Sequence, residues 1–181
     1  MANNWNGIKF TNCSNLLLGN ISNCCNKRKN IIDMGTRATI HIAKREEGVS
    51  FSKIPEKKIV SIYNQYDGYP EGLGVTIADY LNGKRLVNGL GGSRDTVFNG
   101  LGCLAASLIA ELKHEAGYVY VDDPNCPHDW LDYEYVVWGD AGKDLWISIF
   151  DKIPSPNGYK NNCIFVGKPQ RLIDKYETFT D

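Results

Sequence analysis

Apolar residues recur with legible spacing only from about Met34 onward. Residues 38–43 (Ala-Thr-Ile-His-Ile-Ala) alternate and are rich in β-branched side chains, which predicts a strand. Residues 44–56 are a polar excursion with Gly48 and Pro55, and residues 58–63 return to strand character, so a hairpin with a long loop is expected. Residues 70–81 change period. Leu73, Ile77, Tyr80 and Leu81 share one helical stripe, Pro70 suits a first turn where its missing N–H goes unnoticed, and Asn82-Gly83 is a stop. Residues 84–94 are glycine-rich and read as a loop. Residues 95–116 form the most apolar stretch, with Val97, Leu101, Leu104, Leu108 and Leu112 on more than one face, which predicts a buried central helix ended by Gly117.

Three strands are expected next, at residues 118–121, 133–138 and 145–150, with a tight hairpin at 139–142. Residues 163–166 suit a short edge strand, and residues 168–179 have helical spacing. The predicted order is ββααβββ(β)α. Strands joined by hairpins, with helices grouped between them, indicate an α+β fold: a mostly antiparallel sheet of about five strands with two central helices packed on one face.

Residues 1–33 differ from the rest. Asparagine recurs through them, Lys27-Arg28-Lys29 adds a basic cluster, and no period offers a face to bury. A disordered or loosely held arm is expected there, since ordering entropy would go unrepaid, followed by a single domain over residues 34–181.

A net charge of −1 argues against a broad basic surface, so duplex nucleic acid and anionic membranes are not the expected partners. No apolar run approaches the roughly 20 residues that span a bilayer. The six cysteines contain no Cys-x-x-Cys pair, which fits reduced thiols in a cytoplasmic protein. Cys126-Pro127-His128-Asp129 supplies two good local metal ligands, fewer than tetrahedral zinc requires. No metal or cofactor is expected, and no catalytic residue can be assigned.

The densest polar and aromatic stretch runs from Tyr63 through Asn64, Gln65, Tyr66, Asp67, Gly68, Tyr69, Pro70 and Glu71 to Gly72. In an extended chain Tyr63, Gln65 and Asp67 share one side and Asn64 and Tyr66 the other. The stretch ends at a predicted helix N-terminus, where unpaired N–H groups favour an anion, and tyrosine rings can stack on a base. Arg37, before the first strand, and Arg94, before the second helix, are candidate clamps for phosphate or carboxylate. The expected ligand site is therefore Arg37, Gln65, Tyr66, Asp67, Tyr69 and Arg94, taking a small anionic, nucleotide-like molecule. The competing reading is that Asp67 caps a turn, the tyrosines pack, and Arg37 makes an internal ion pair with Asp67 or Glu71. Asn88 to Gly92 before Ser93-Arg94 has an anion-cradle composition but lacks the Gly-Lys-Ser/Thr of a phosphate-binding loop. Trp130, Tyr133, Tyr135 and Trp138 could instead form an aromatic patch for a protein partner. An enzyme, such as a phosphoester hydrolase, would need converging titratable groups.

Met34-Gly-Thr-Arg-Ala-Thr-Ile, followed by Tyr63-Asn-Gln-Tyr-Asp-Gly-Tyr-Pro-Glu-Gly, resembles a group of small uncharacterised proteins encoded by bacteriophages and other large DNA viruses. The likeness covers about residues 34–150. It implies a viral accessory or early protein, working in the host cytoplasm on a small ligand or a host protein.

Overall fold

A computed structural model of the chain describes residues 35–50, 53–89, 93, 95–125, 131–156 and 158–177. The arm at 1–33, Arg94 and the Cys126–Asp129 stretch lie outside the described residues.

The architecture is mixed α+β. Strands β1 (Ala38–Lys44) and β2 (Lys57–Asn64) pair antiparallel. Strand β5 (Val119–Asp122) adds to the far side of β2, and β6 (Tyr133–Trp138), β7 (Trp146–Ser155) and β8 (Gly158–Gly167) extend the sheet beyond β1. The order is β5-β2-β1-β6-β7-β8, six strands rather than about five. The sheet is mostly antiparallel, but its central β1–β6 pair is parallel, with Ile40 opposite Tyr135. A parallel neighbour needs a crossover, and the helices between β2 and β6 supply it.

One face of this sheet carries Ala38, Ile40, Ile42, Ile62, Tyr135, Val137, Ile147 and Ile149, the alternating set that the strand spacing predicts. They form one core with the apolar sides of helices α1 (Val75–Leu81), α2 (Gly100–Leu112) and α3 (Pro169–Glu177), including Ile77, Leu104, Leu108 and Leu172. No described helix is long and apolar enough to cross a membrane.

The structure corrects several sequence expectations. The glycine-rich stretch contains a short strand, β3 (Arg85–Val87), which pairs parallel with β4 (Val97–Asn99). The predicted central helix therefore starts at Gly100 and ends at Leu112. Val97 and Phe98 continue its apolar run, which hides the change from strand to helix. The 139–142 segment is not a tight hairpin. The chain from Gly139 to Leu145 loops out and docks on β3, with Gly142 N–H donating to the Leu86 carbonyl at 2.8 Å and Ala141 and Asp144 bridging to it. β8 runs much longer than 163–166. Its polar first half has no apolar alternation but pairs with β7 as far as Ser155 and Gly158. Of the expected aromatic patch, Tyr135 and Trp138 are fully buried and cannot contribute to a surface, and Trp130 lies outside the described residues.

The opposite sheet face carries a polar network. His41 Nδ1 lies 2.6 Å from Ser61 Oγ, and its Nε2 lies 3.4 Å from Glu134 Oε1. Lys58 and Lys152 reach Glu134 at 2.8 and 2.9 Å. Burial alone would raise the Glu134 carboxyl, but hydrogen bonds and charge from the two ammonium groups prevail and hold it at about 2.

Candidate functional site

The site is built where β2 runs out. Asn64, the last residue of β2, is buried, and its amide donates to the Tyr66 carbonyl two residues on, closing a turn. The backbone beyond it is held from three directions. Gln65 N–H donates to the Tyr118 carbonyl at 2.9 Å, Gly68 N–H donates to the Thr36 carbonyl at 2.9 Å, and the Tyr135 hydroxyl donates to the Gly68 carbonyl at 2.7 Å. Gly68 is required by close approach. A Cβ there would sit 2.7 Å from Ala38 Cβ and 2.9 Å from the backbone of Ala38 and Arg37.

The chain then enters a π-helical turn, Pro70–Gly74, before α1. The wide turn is part of the predicted 70–81 helix. Such turns occur often at functional sites. The Thr76 hydroxyl donates to the Gly72 carbonyl at 3.0 Å across it.

Between this turn and the end of α2 lies an open cleft of about 230 Å³, whose walls include Asn64, Tyr66, Asp67, Thr76, His114 and Tyr118. The Tyr66 and Tyr118 rings are 5.7 Å apart and tilted by 54°. The Tyr118 hydroxyl donates to Asp67 Oδ2 at 3.2 Å. Burial raises the Tyr118 phenol, and the bond to the Asp67 carboxylate adds to the rise.

Asp67 and Tyr118 are the two non-glycine residues among those described with positive φ, at 54° and 65°. Left-handed backbone costs an ordinary side chain roughly 1–2 kcal/mol, more readily tolerated by aspartate than by tyrosine. Both residues line the same cleft and bond to each other. Such concentration of strain at one place is a feature of binding and catalytic sites.

The structure divides the six sequence-predicted site residues. Tyr66 and Asp67 line the cleft. They were expected on opposite sides of an extended chain; the left-handed turn at Asp67 breaks the alternation and brings them together. Gln65 does not line it, and its side-chain oxygen accepts from the Tyr120 hydroxyl at 3.5 Å. Tyr69 is 40% exposed and outside the lining, with its ring lying over Gly72. Arg37 is also outside the lining. Its N–H donates to Asp132 Oδ2 at 2.7 Å and its carbonyl accepts from Asp132 and Tyr133, so its backbone clasps β1 to β6. Arg94 lies outside the described residues. The expected N-terminal anion site has no long helix behind it, because α1 is seven residues preceded by the π-turn.

Tyr118, His114, Thr76 and the inward role of Asn64 were not identified from the sequence. The available signal was Gly117-Tyr118 directly after the helix stop, a place where a left-handed residue is common. Ser61, His41 and Glu134 have the residue types of a nucleophilic triad, but Ser61 and His41 are fully buried and no substrate can reach that hydroxyl. Among the described residues no three His, Cys, Asp or Glu side chains gather to hold a metal.

No protein-family model, curated protein sequence or solved structure matches the chain.

Proposed function

We propose that the cleft binds a small nucleoside- or nucleotide-like ligand, with its base against Tyr66 and Tyr118 and its hydrogen-bond donors facing Asp67. The observation that carries this reading is the Asp67–Tyr118 pair. Two strained residues from distant parts of the chain are joined by a hydrogen bond at the wall of a cleft with aromatic sides. Aromatic rings beside a small set of fixed polar groups are what a base-binding pocket needs.

The lining favours the base and sugar over the phosphate as the recognised part. Asp67 brings a negative charge, and among the described residues no lysine or arginine lines the cleft. The accessory role in a viral life cycle, and a location in the host cytoplasm, belong to the same proposal and rest on the sequence resemblance.

A thermal-shift and calorimetric panel of nucleosides, nucleotides and cyclic nucleotides tests the reading. A ligand at about 100 times its Kd stabilises the folded state by about 2.7 kcal/mol. Tyr66→Ala should remove most of that gain. No stabilisation by any member at millimolar concentration would end the proposal.

A further inference from the structure

The hydrogen-bonding functions that the cleft leaves open define what its ligand must bring. Three neutral donors on the wall are already engaged: the Asn64 amide with the Tyr66 carbonyl, the Thr76 hydroxyl with the Gly72 carbonyl, and the Tyr118 hydroxyl with Asp67 Oδ2. Beside the second Asn64 amide hydrogen, the Tyr66 hydroxyl and the His114 ring, the wall offers acceptor capacity. An ionised carboxylate has about four lone-pair sites, and the Tyr118 hydroxyl occupies one of those on Asp67. The Asn64 carbonyl oxygen is a second acceptor, on a side chain that is 2% exposed and fixed by its engaged amide. The cleft therefore sets two tilted aromatic rings beside acceptors on the same wall.

We infer that, given the nucleoside reading above, the cleft selects a guanine-type base over adenine. Guanine presents its ring N–H and exocyclic 2-amino group as two adjacent donors, which one carboxylate can accept together. Adenine places a ring acceptor beside its amino group, so a lone pair would face the Asp67 carboxylate. The Tyr118 hydroxyl limits rotation of that carboxylate, and the left-handed backbone at Asp67 turns it to the same wall as the Tyr66 ring. The step is a binding equilibrium in which no covalent bond changes.

The same planar pair of donors occurs in a guanidinium ion, so the test separates the two sources. Calorimetry on the full chain would compare guanosine, inosine, adenosine and methylguanidinium. Guanosine is expected to bind about tenfold or more tighter than adenosine, the usual discrimination from a bidentate contact. Inosine, which keeps the ring N–H but lacks the amino group, should fall between them. In Asp67→Asn, checked for an intact melting transition, the guanosine preference should shrink to about twofold, because a carboxamide offers one acceptor and one donor.

Guanosine and adenosine binding equally to the natural chain would overturn the selectivity and leave a general nucleoside site standing. Methylguanidinium binding as tightly as guanosine would reassign the site to cations. A preference surviving in Asp67→Asn would remove Asp67 as its source. No nucleoside binding at all would bring down the nucleoside reading together with this inference.

Discussion

Asp67 and Tyr118 stand 51 residues apart, both in left-handed backbone, with the Tyr118 hydroxyl donating to the Asp67 carboxylate at 3.2 Å. Each would be easier to accommodate as glycine. The bond ties the turn after β2 to the segment entering β5, and the paired rings and carboxylate form one side of the cleft.

That strain can be measured. Asp67→Gly should be more stable than Asp67→Ala by about 1 kcal/mol, because alanine carries the Cβ penalty at positive φ and glycine does not. In a domain of this size the difference is roughly 2–4 °C in melting temperature. Both substitutions should weaken guanosine binding by about tenfold or more. An alanine variant at least as stable as the glycine variant would mean that φ 54° carries no strain.

Tyr135→Phe tests the support beneath the turn. Tyr135 is fully buried, and its hydroxyl is a donor to the Gly68 carbonyl at 2.7 Å. Removing it leaves that carbonyl without this donor, at a cost of about 1–3 kcal/mol. Unfolding in urea should show the loss as a lower midpoint with an unchanged slope. A midpoint equal to that of the natural chain would show that another donor satisfies Gly68.

Gly68→Ala should cost about 1–3 kcal/mol through overpacking, since the new Cβ meets backbone rather than a movable side-chain tip. Gly48→Ala is the contrast. A Cβ there meets nothing within 4 Å, but φ is +78°, so its cost of roughly 1 kcal/mol would come from backbone conformation alone. Chemical denaturation of the two variants separates these causes. Gly68→Ala should also weaken ligand binding, whereas Gly48→Ala should not.

Glu134 predicts an acid limb in stability. Its carboxyl is held at about 2 in the fold against an ordinary value of 4.5, because Lys58 and Lys152 outweigh the burial that would raise it. A lowered folded value means that the contribution is complete above the unfolded value and is lost as pH falls from about 4.5 toward about 2. The shift corresponds to about 3 kcal/mol. Glu134→Gln should lower stability at pH 7 and flatten this limb in denaturant titrations across the same window. An unchanged slope in the variant would place the acid sensitivity elsewhere.

Much of the fold was legible because burial imposes a period. Ile40 and Ile42 alternate with Thr39 and His41, which marks β1, and Leu73, Ile77 and Leu81 mark the helical segment after Pro70. The three-residue strands β3 and β4 are too short to display a period, and the apolar Val97 and Phe98 merge with the helix that follows. The long polar half of β8 is invisible to a hydrophobic pattern because it is exposed; its pairing comes from backbone bonds to β7. At the candidate site, the local chemistry of Tyr66 and Asp67 could be read, but their common direction could not, because it depends on one backbone angle.

By itself, the sequence determined which residues turn inward along β1 and the helices, that Pro70 opens a helical turn, and that Tyr66 and Asp67 belong to a polar, aromatic stretch; the positive φ that Gly68 could have taken falls at Asp67 instead. Those properties follow from side-chain period and the conformational limits of single residues. Only the tertiary structure decided that β1 lies parallel to β6, that His41 meets Ser61 and Glu134, and that Tyr118 reaches Asp67 to close one wall of a cleft. The physical reason is that a residue's spacing fixes the face it presents. Its partner across 51 residues of chain is chosen by the packing of the whole sheet, where every register and crossover must be satisfied together.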